Sequence, residues 1–212
     1  MKPKNKNLNK KKNKKNNILN FKINLVKEYK SLFKFLNESK KFMIYSSLIF
    51  LISFLIGFLF KLPESINSKL LGIIKEIFNQ TKDMSPLQLT SFIIFNNLKS
   101  TFFGILLGIF FGIFPFLSLV LNGIILGIVS SLSVTQQGVL SLWKIFPHGI
   151  FELPAVFISL GLGLKIGYLT IKSQKKEIME FLFNSLKIYF LIVFPLIIFA
   201  GIIESLLISL LS

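Results

Sequence analysis

The stretch PHGIFELPA, residues 147–155, carries the chain's one histidine and an acidic residue inside an otherwise apolar run. His148 and Glu152 are four residues apart, so in a helix they share a face and can hydrogen-bond each other. Pro154 lacks the amide that would have bonded the Ile150 carbonyl, which leaves a backbone acceptor open beside the pair. An ionisable side chain at membrane depth costs about 2.5–3.5 kcal/mol on insertion scales, so such groups are turned inward and paired. Two kinds of chemistry fit the pattern. One is a coordination or proton site in which imidazole protonation acts near neutral pH; the other is a structural clamp between helices. Glu204, near the end of the last apolar segment, is a third titratable group that could join them. One His and two Glu, with no HExxH pair and no Cys, fall short of a zinc-hydrolase ligand set. No GxSxG turn and no glycine loop ending in GK[ST] is present, so no catalytic residue, metal or cofactor is assigned and the chain does not read as an enzyme.

Other polar groups stand among small residues at helical spacing. Asn97, Thr101, Gly104, Gly108 and Gly112 form one stripe; Asn122 stands beside Gly123 and Gly127; His148, Glu152, Ala155, Ser159 and Gly163 form a third. Helices in lipid associate through close packing of small residues and through buried polar contacts, because apolar attraction gives no advantage there. The expectation is that the glycines pack helices. Asn97, Asn122, His148, Glu152 and Glu204 are then expected to meet at a shared interface as an intramembrane polar site or clamp.

The elements that must position these groups are read from hydropathy and charge. Of 212 residues 52% are hydrophobic, 25 are Phe and none is Cys, too apolar for an ordinary soluble domain. Thiolate sites and a disulfide framework are excluded. All 25 basic residues are Lys, 14 of them within residues 1–41, so the net charge of +16 belongs largely to one end. Residues 1–20, a Lys/Asn tract, are expected to be disordered, with no signal-peptide pattern. Residues 21–41 suit an amphipathic helix on an anionic membrane face. Residues 1–41 thus read as a basic tail and 42–212 as a membrane domain.

Within that domain the first span is Phe42 to Phe60. Residues 63–80 read as an outer amphipathic helix, too polar to cross. Ser85, Pro86 and Gln88 open a second long helix with a capping box, expected to run to about Ile113. Pro115 is expected to break the apolar run into a hairpin with a return arm over 116–131, which either crosses or re-enters. A fourth segment covers about Pro147 to Tyr168, a Lys-bearing loop covers 171–180, and a last span covers Lys187 to Leu211. The expected fold is all-α, a polytopic helical membrane protein of about five transmembrane helices. The positive-inside rule places the N-terminus and the 171–180 loop in the cytoplasm and the C-terminus outside.

The segments at Asn96 and Asn97, GILLGI at 104–109, LNGIILG at 121–127, PHGIFELPAVFISLGLGLKIG at 147–167 and AGIIES at 200–205 together resemble the stage II sporulation protein M family of multi-spanning membrane proteins. That resemblance implies that Asn97, Asn122, His148, Glu152 and Glu204 occupy the positions where the family keeps polar groups. It also implies a membrane scaffold, which in endospore formers holds cell-wall-degrading enzymes at the engulfing septum. The expected role is a membrane scaffold or assembly factor recruiting other membrane or envelope proteins in the cell membrane; the alternative is a transporter or channel subunit using the Asn/His/Glu site. A third class, an intramembrane metallo-hydrolase, carries least weight. The N-terminal Lys are expected to meet anionic lipid headgroups, and nucleic acid is not an expected partner.

Overall fold

The computed structural model describes the backbone of residues 4–60, 63–144, 146–173 and 175–211, and the side chains of residues 26–60, 63–142, 149, 152–173 and 176–203. The described chain is all-α. The helices are α1 Lys4–Leu59, α2 Glu64–Thr81, α3 Pro86–Leu106, α4 Ile113–Gln137, α5 Phe146–Ile171, α6 Lys175–Ile188 and α7 Phe194–Leu211. Short 3-10 segments cover Leu107–Ile109 and Val139–Lys144, and a π segment, Tyr189–Val193, joins α6 to α7. Among the described residues five helical stretches are long and apolar enough to cross a membrane: Val26–Leu59, Pro86–Ile109, Ile113–Gln137, Glu152–Ile171 and Lys176–Ile203. The chain is a multi-pass helical membrane protein.

Two compact units divide it, residues 1–38 and residues 39–212. In the first, the tract expected to be disordered is helical from Lys4 onward. Lys is a good helix former, and extending an existing helix avoids the cost of nucleation, so a Lys-rich segment can be helical without burying a core.

In the second unit, the start of α3 follows the expected pattern. The Ser85 amide and hydroxyl donate to Gln88 Oε1 at 2.9 and 3.0 Å, and Pro86 takes the first helical turn. The hairpin does not turn at Pro115. It turns at Phe111 and Gly112, whose φ angles are 56° and 73°, and Pro115 lies inside the first turn of α4, where a missing amide is harmless. A reversal needs the left-handed region that glycine enters freely; proline, held near −65°, cannot provide it. Gly112 is therefore the cap of α4 rather than part of the α3 stripe. The amides of Phe110, Gly112 and Ile113 bond the carbonyls of Leu107, Gly108 and Phe110 at 2.9–3.1 Å, so the bend satisfies these groups itself. Both hairpin arms are long enough to cross, at about 1.5 Å per residue.

The Lys-bearing loop expected over 171–180 is short, because α6 already begins at Lys175. Pro195 leaves the Leu191 carbonyl without its helical donor. The chain accommodates this with the π turn just before the proline, where the Phe194 amide reaches the Tyr189 carbonyl.

The small-residue stripes serve two interfaces rather than one. A Cβ on Gly108 would lie 2.4 Å from the Gly163 carbonyl oxygen, and one on Gly163 would lie 2.2 Å from the Gly104 oxygen, so α3 and α5 touch backbone to backbone. The turn at Gly112 rests on Gly167 of α5 in the same manner. Gly123 and Gly127 of α4 face α1 instead, where added Cβ atoms would meet the Phe50 and Phe54 oxygens at 2.7 and 2.3 Å. The core between α1, α4 and α5 is Phe50, Leu119 and Leu160, with Leu126, Leu153 and Phe157 packed on it.

These contacts set a first test. Gly163→Ala is expected to lower unfolding stability in detergent by about 1–3 kcal/mol through overpacking against α3. Gly72→Ala, on the face of α2 where nothing lies within 4 Å, is expected to be neutral or to gain up to about 1 kcal/mol. Denaturant or thermal unfolding of the purified variants reads both.

Candidate intramembrane polar site

The parallel course of α3 and α5, held by the Gly104, Gly108 and Gly163 contacts, brings Asn97 opposite Glu152. The Asn97 side-chain amide donates to Glu152 Oε1, and Glu152 is buried with 6% of its surface exposed. Asn97 lies twelve residues before Ile109 at the hairpin, about 18 Å of helix, so the contact sits within the span and not at the hairpin end. The close approach of the two helices lets a short Asn bridge them to the Glu152 carboxyl group.

One turn further along α3, fully buried Thr101 donates to the Asn97 carbonyl at 2.6 Å. The Tyr189 hydroxyl, from the π segment, donates to the Leu98 carbonyl at 2.8 Å, and its ring packs edge-on against Phe102 with centroids 5.2 Å apart. Asn97, Thr101, Glu152 and Tyr189 thus tie three membrane segments together by polar contacts. Ser159, two turns along α5 from Glu152, is fully buried, and its hydroxyl has no partner among the described residues.

Not every expected member joins this group. Asn122 is exposed on α4 and donates to the Ser118 carbonyl at 2.8 Å and to the Ser118 hydroxyl at 3.2 Å. Its neighbour Gly123 faces α1, and successive helical residues are about 100° apart, so Asn122 points away from that interface. Its amide is satisfied by its own helix rather than by a neighbour. The side chains of His148 and Glu204 lie outside the described residues. Among the described residues no group of three His, Cys, Asp or Glu converges as metal ligands would.

Two polar contacts escaped the reading of the sequence. Ser46 of α1, fully buried, donates to the Phe157 carbonyl of α5 at 2.8 Å as well as to its own helix at Met43. Near the same end of the bundle the Lys165 ammonium donates to buried Ser39 at 3.1 Å and lies 4.6 Å from the centre of the Phe181 ring. A lone Lys inside an apolar stretch was the available signal for the second. A serine in an apolar helix gives almost none, because most such hydroxyls bond only their own helix.

The Asn97–Glu152 contact is open to direct measurement. A double-mutant cycle with Asn97→Ala and Glu152→Ala is expected to give a coupling of about 1 kcal/mol in bilayer or detergent unfolding, in the range found for interhelical hydrogen bonds in membranes. Asn122→Ala is expected to change stability by no more than about 0.5 kcal/mol, as for a surface position.

Comparison with known proteins agrees with this architecture. The family described as Stage II sporulation protein M matches residues 46–207. An uncharacterized protein of Methanocaldococcus jannaschii is 41% identical over 78 residues, which cover 36% of this chain and 44% of that protein. The chain therefore spans less than half the length of that relative. No solved structure matches the chain. The matched region takes in the later part of the first span, the α3–α4 hairpin, the Asn97–Glu152 contact and most of the last helix, and the chain belongs to the Stage II sporulation protein M family.

Proposed function

We propose that the protein is a non-enzymatic membrane scaffold that recruits other membrane or envelope proteins. The observation that carries this reading is that polar contacts in the described core join helix to helix. Asn97 bonds Glu152 across α3 and α5, Ser46 bonds Phe157 across α1 and α5, and Tyr189 bonds Leu98 across the last segment and α3. Each contact joins helix to helix, and the first lies beside the backbone-close packing of Gly104, Gly108 and Gly163. Such knots rigidify a bundle, whereas a conduction path needs polar groups facing a connected aqueous space. The role carried by the founding family members, a platform for envelope enzymes, fits a rigid bundle of this kind.

The platform offers α2 on one side of the membrane. Its Ile66, Ile73, Ile77 and Phe78 are 43–62% exposed, while Leu70 alone is buried. By the positive-inside rule the tail is cytoplasmic, α2 is outside and the C-terminus is outside. The tail's lysines draw that end toward anionic headgroups.

The competing reading is a transporter or channel subunit built on the buried Glu152. Reconstitution in liposomes separates the two. The expected result is no ion or solute flux above protein-free vesicles, with or without a pH gradient. Flux that Glu152→Gln abolishes overturns the scaffold. In parallel, photo-crosslinking from Phe78 in native membranes, followed by purification, is expected to recover a discrete partner protein; a chain recovered only as a free monomer counts against the proposal.

A further inference from the structure

Away from the Asn97–Glu152 contact, α1, α4 and α5 enclose a cavity of about 440 Å³. Phe50, Leu51 and Phe54 form one wall, Leu126 the second, and Leu153 and Phe157 the third. Phe50, Leu126, Leu153 and Phe157 belong both to this lining and to the packing of the core between the three helices. From Gly149 to Phe157 it follows α5 for eight residues, about 12 Å, so its long axis runs with the helices. It has an open side. Leu48 and Leu51 line it and are also 47% and 51% exposed on the outer surface of α1, which makes the cavity a slot continuous with the apolar face of the span.

The chemistry of the lining limits what can fill it. No charged residue lines it. Ser47 and Ser130 are the two hydroxyl-bearing residues of the lining, and the Ser47 hydroxyl is turned back to the Ile44 carbonyl at 2.9 Å. Water needs two to four polar partners to occupy a buried site, and apolar cavities stay dry. An empty slot forfeits dispersion contacts along every wall. An extended hydrocarbon chain is apolar, thin, and already aligned with the slot by the bilayer around it.

We infer that this slot is a binding site for one acyl chain of a membrane phospholipid, held between α1, α4 and α5. The site is independent of the scaffold role and persists if that role fails.

The test uses the full chain in nanodiscs of phosphatidylglycerol and phosphatidylcholine doped with a phospholipid that carries a diazirine at its acyl terminus. After irradiation, adducts are mapped by peptide mass spectrometry. Phe50, only 7% exposed, and Leu153 and Phe157 are expected to be labelled, although bulk lipid has little access to Phe50. Ser47→Phe and Leu126→Phe fill the slot from opposite walls. Each is expected to lower labelling of Leu153 and Phe157 several-fold, because the added ring occupies the space and takes the packing contacts of the chain, while labelling at exposed Phe116 and Leu117 is unchanged. Two variants guard against one failing to fold. Labelling of Leu153 and Phe157 that persists in a folded variant overturns the proposal. So does wild-type labelling no stronger than at residues remote from lipid, or a photo-crosslinker at position 126 that captures a polypeptide instead of lipid.

Discussion

Hydrocarbon offers no partner to a polar atom, and most of the second unit follows from that. A backbone group or hydroxyl left unsatisfied in the span costs several kcal/mol, so polar atoms there are repeatedly found bonded within the protein. The hydroxyls of Thr90, Ser91, Thr135, Thr170 and Ser185 each donate to a carbonyl four residues back on their own helix. Where the helix is interrupted, the remedy is local: the 3-10 turn and Gly112 at the hairpin, and the π turn ahead of Pro195. The few polar groups that reach across to another helix are therefore the informative ones.

Reaching across depends on how close two backbones come. Asn97 is short, and it meets Glu152 because Gly104, Gly108 and Gly163 let α3 and α5 approach until an added methyl would strike a carbonyl. On the other side of the bundle Gly123 and Gly127, with Gly57 of α1, do the same for α1 and α4. Glycine thus has two results here: it packs helices, and it sets which polar groups find partners. The apolar slot lies where that close packing stops. Large side chains at Phe50, Phe54, Leu126 and Phe157 stand around it without filling it.

The bundle also has polarity along its length. Lys165 and Ser39 meet near the end where Phe42 packs against Tyr168. The opposite end carries the exposed amphipathic α2.

The sequence by itself determined the class of the protein and most of its elements. Runs of apolar residues long enough to cross, the Ser85–Gln88 cap, the amphipathic period of residues 63–80 and the spacing of Asn97 from Gly104 and Gly108 all depend on neighbours within a few turns, and local patterns specify them. The choice of Pro115 as the bend failed because proline disrupts a helix only beyond its first turn, and its place in the turn depends on where the chain has already reversed. Tertiary structure alone decided which face met which. Three stripes that look alike along the chain went to two different interfaces, Asn122 turned outward onto Ser118 while Asn97 turned inward onto Glu152, and Ser46 found a carbonyl 111 residues away. Helical periodicity says which residues share a face, but the partner of that face is set by the rotation and contact of whole helices, which no local pattern encodes.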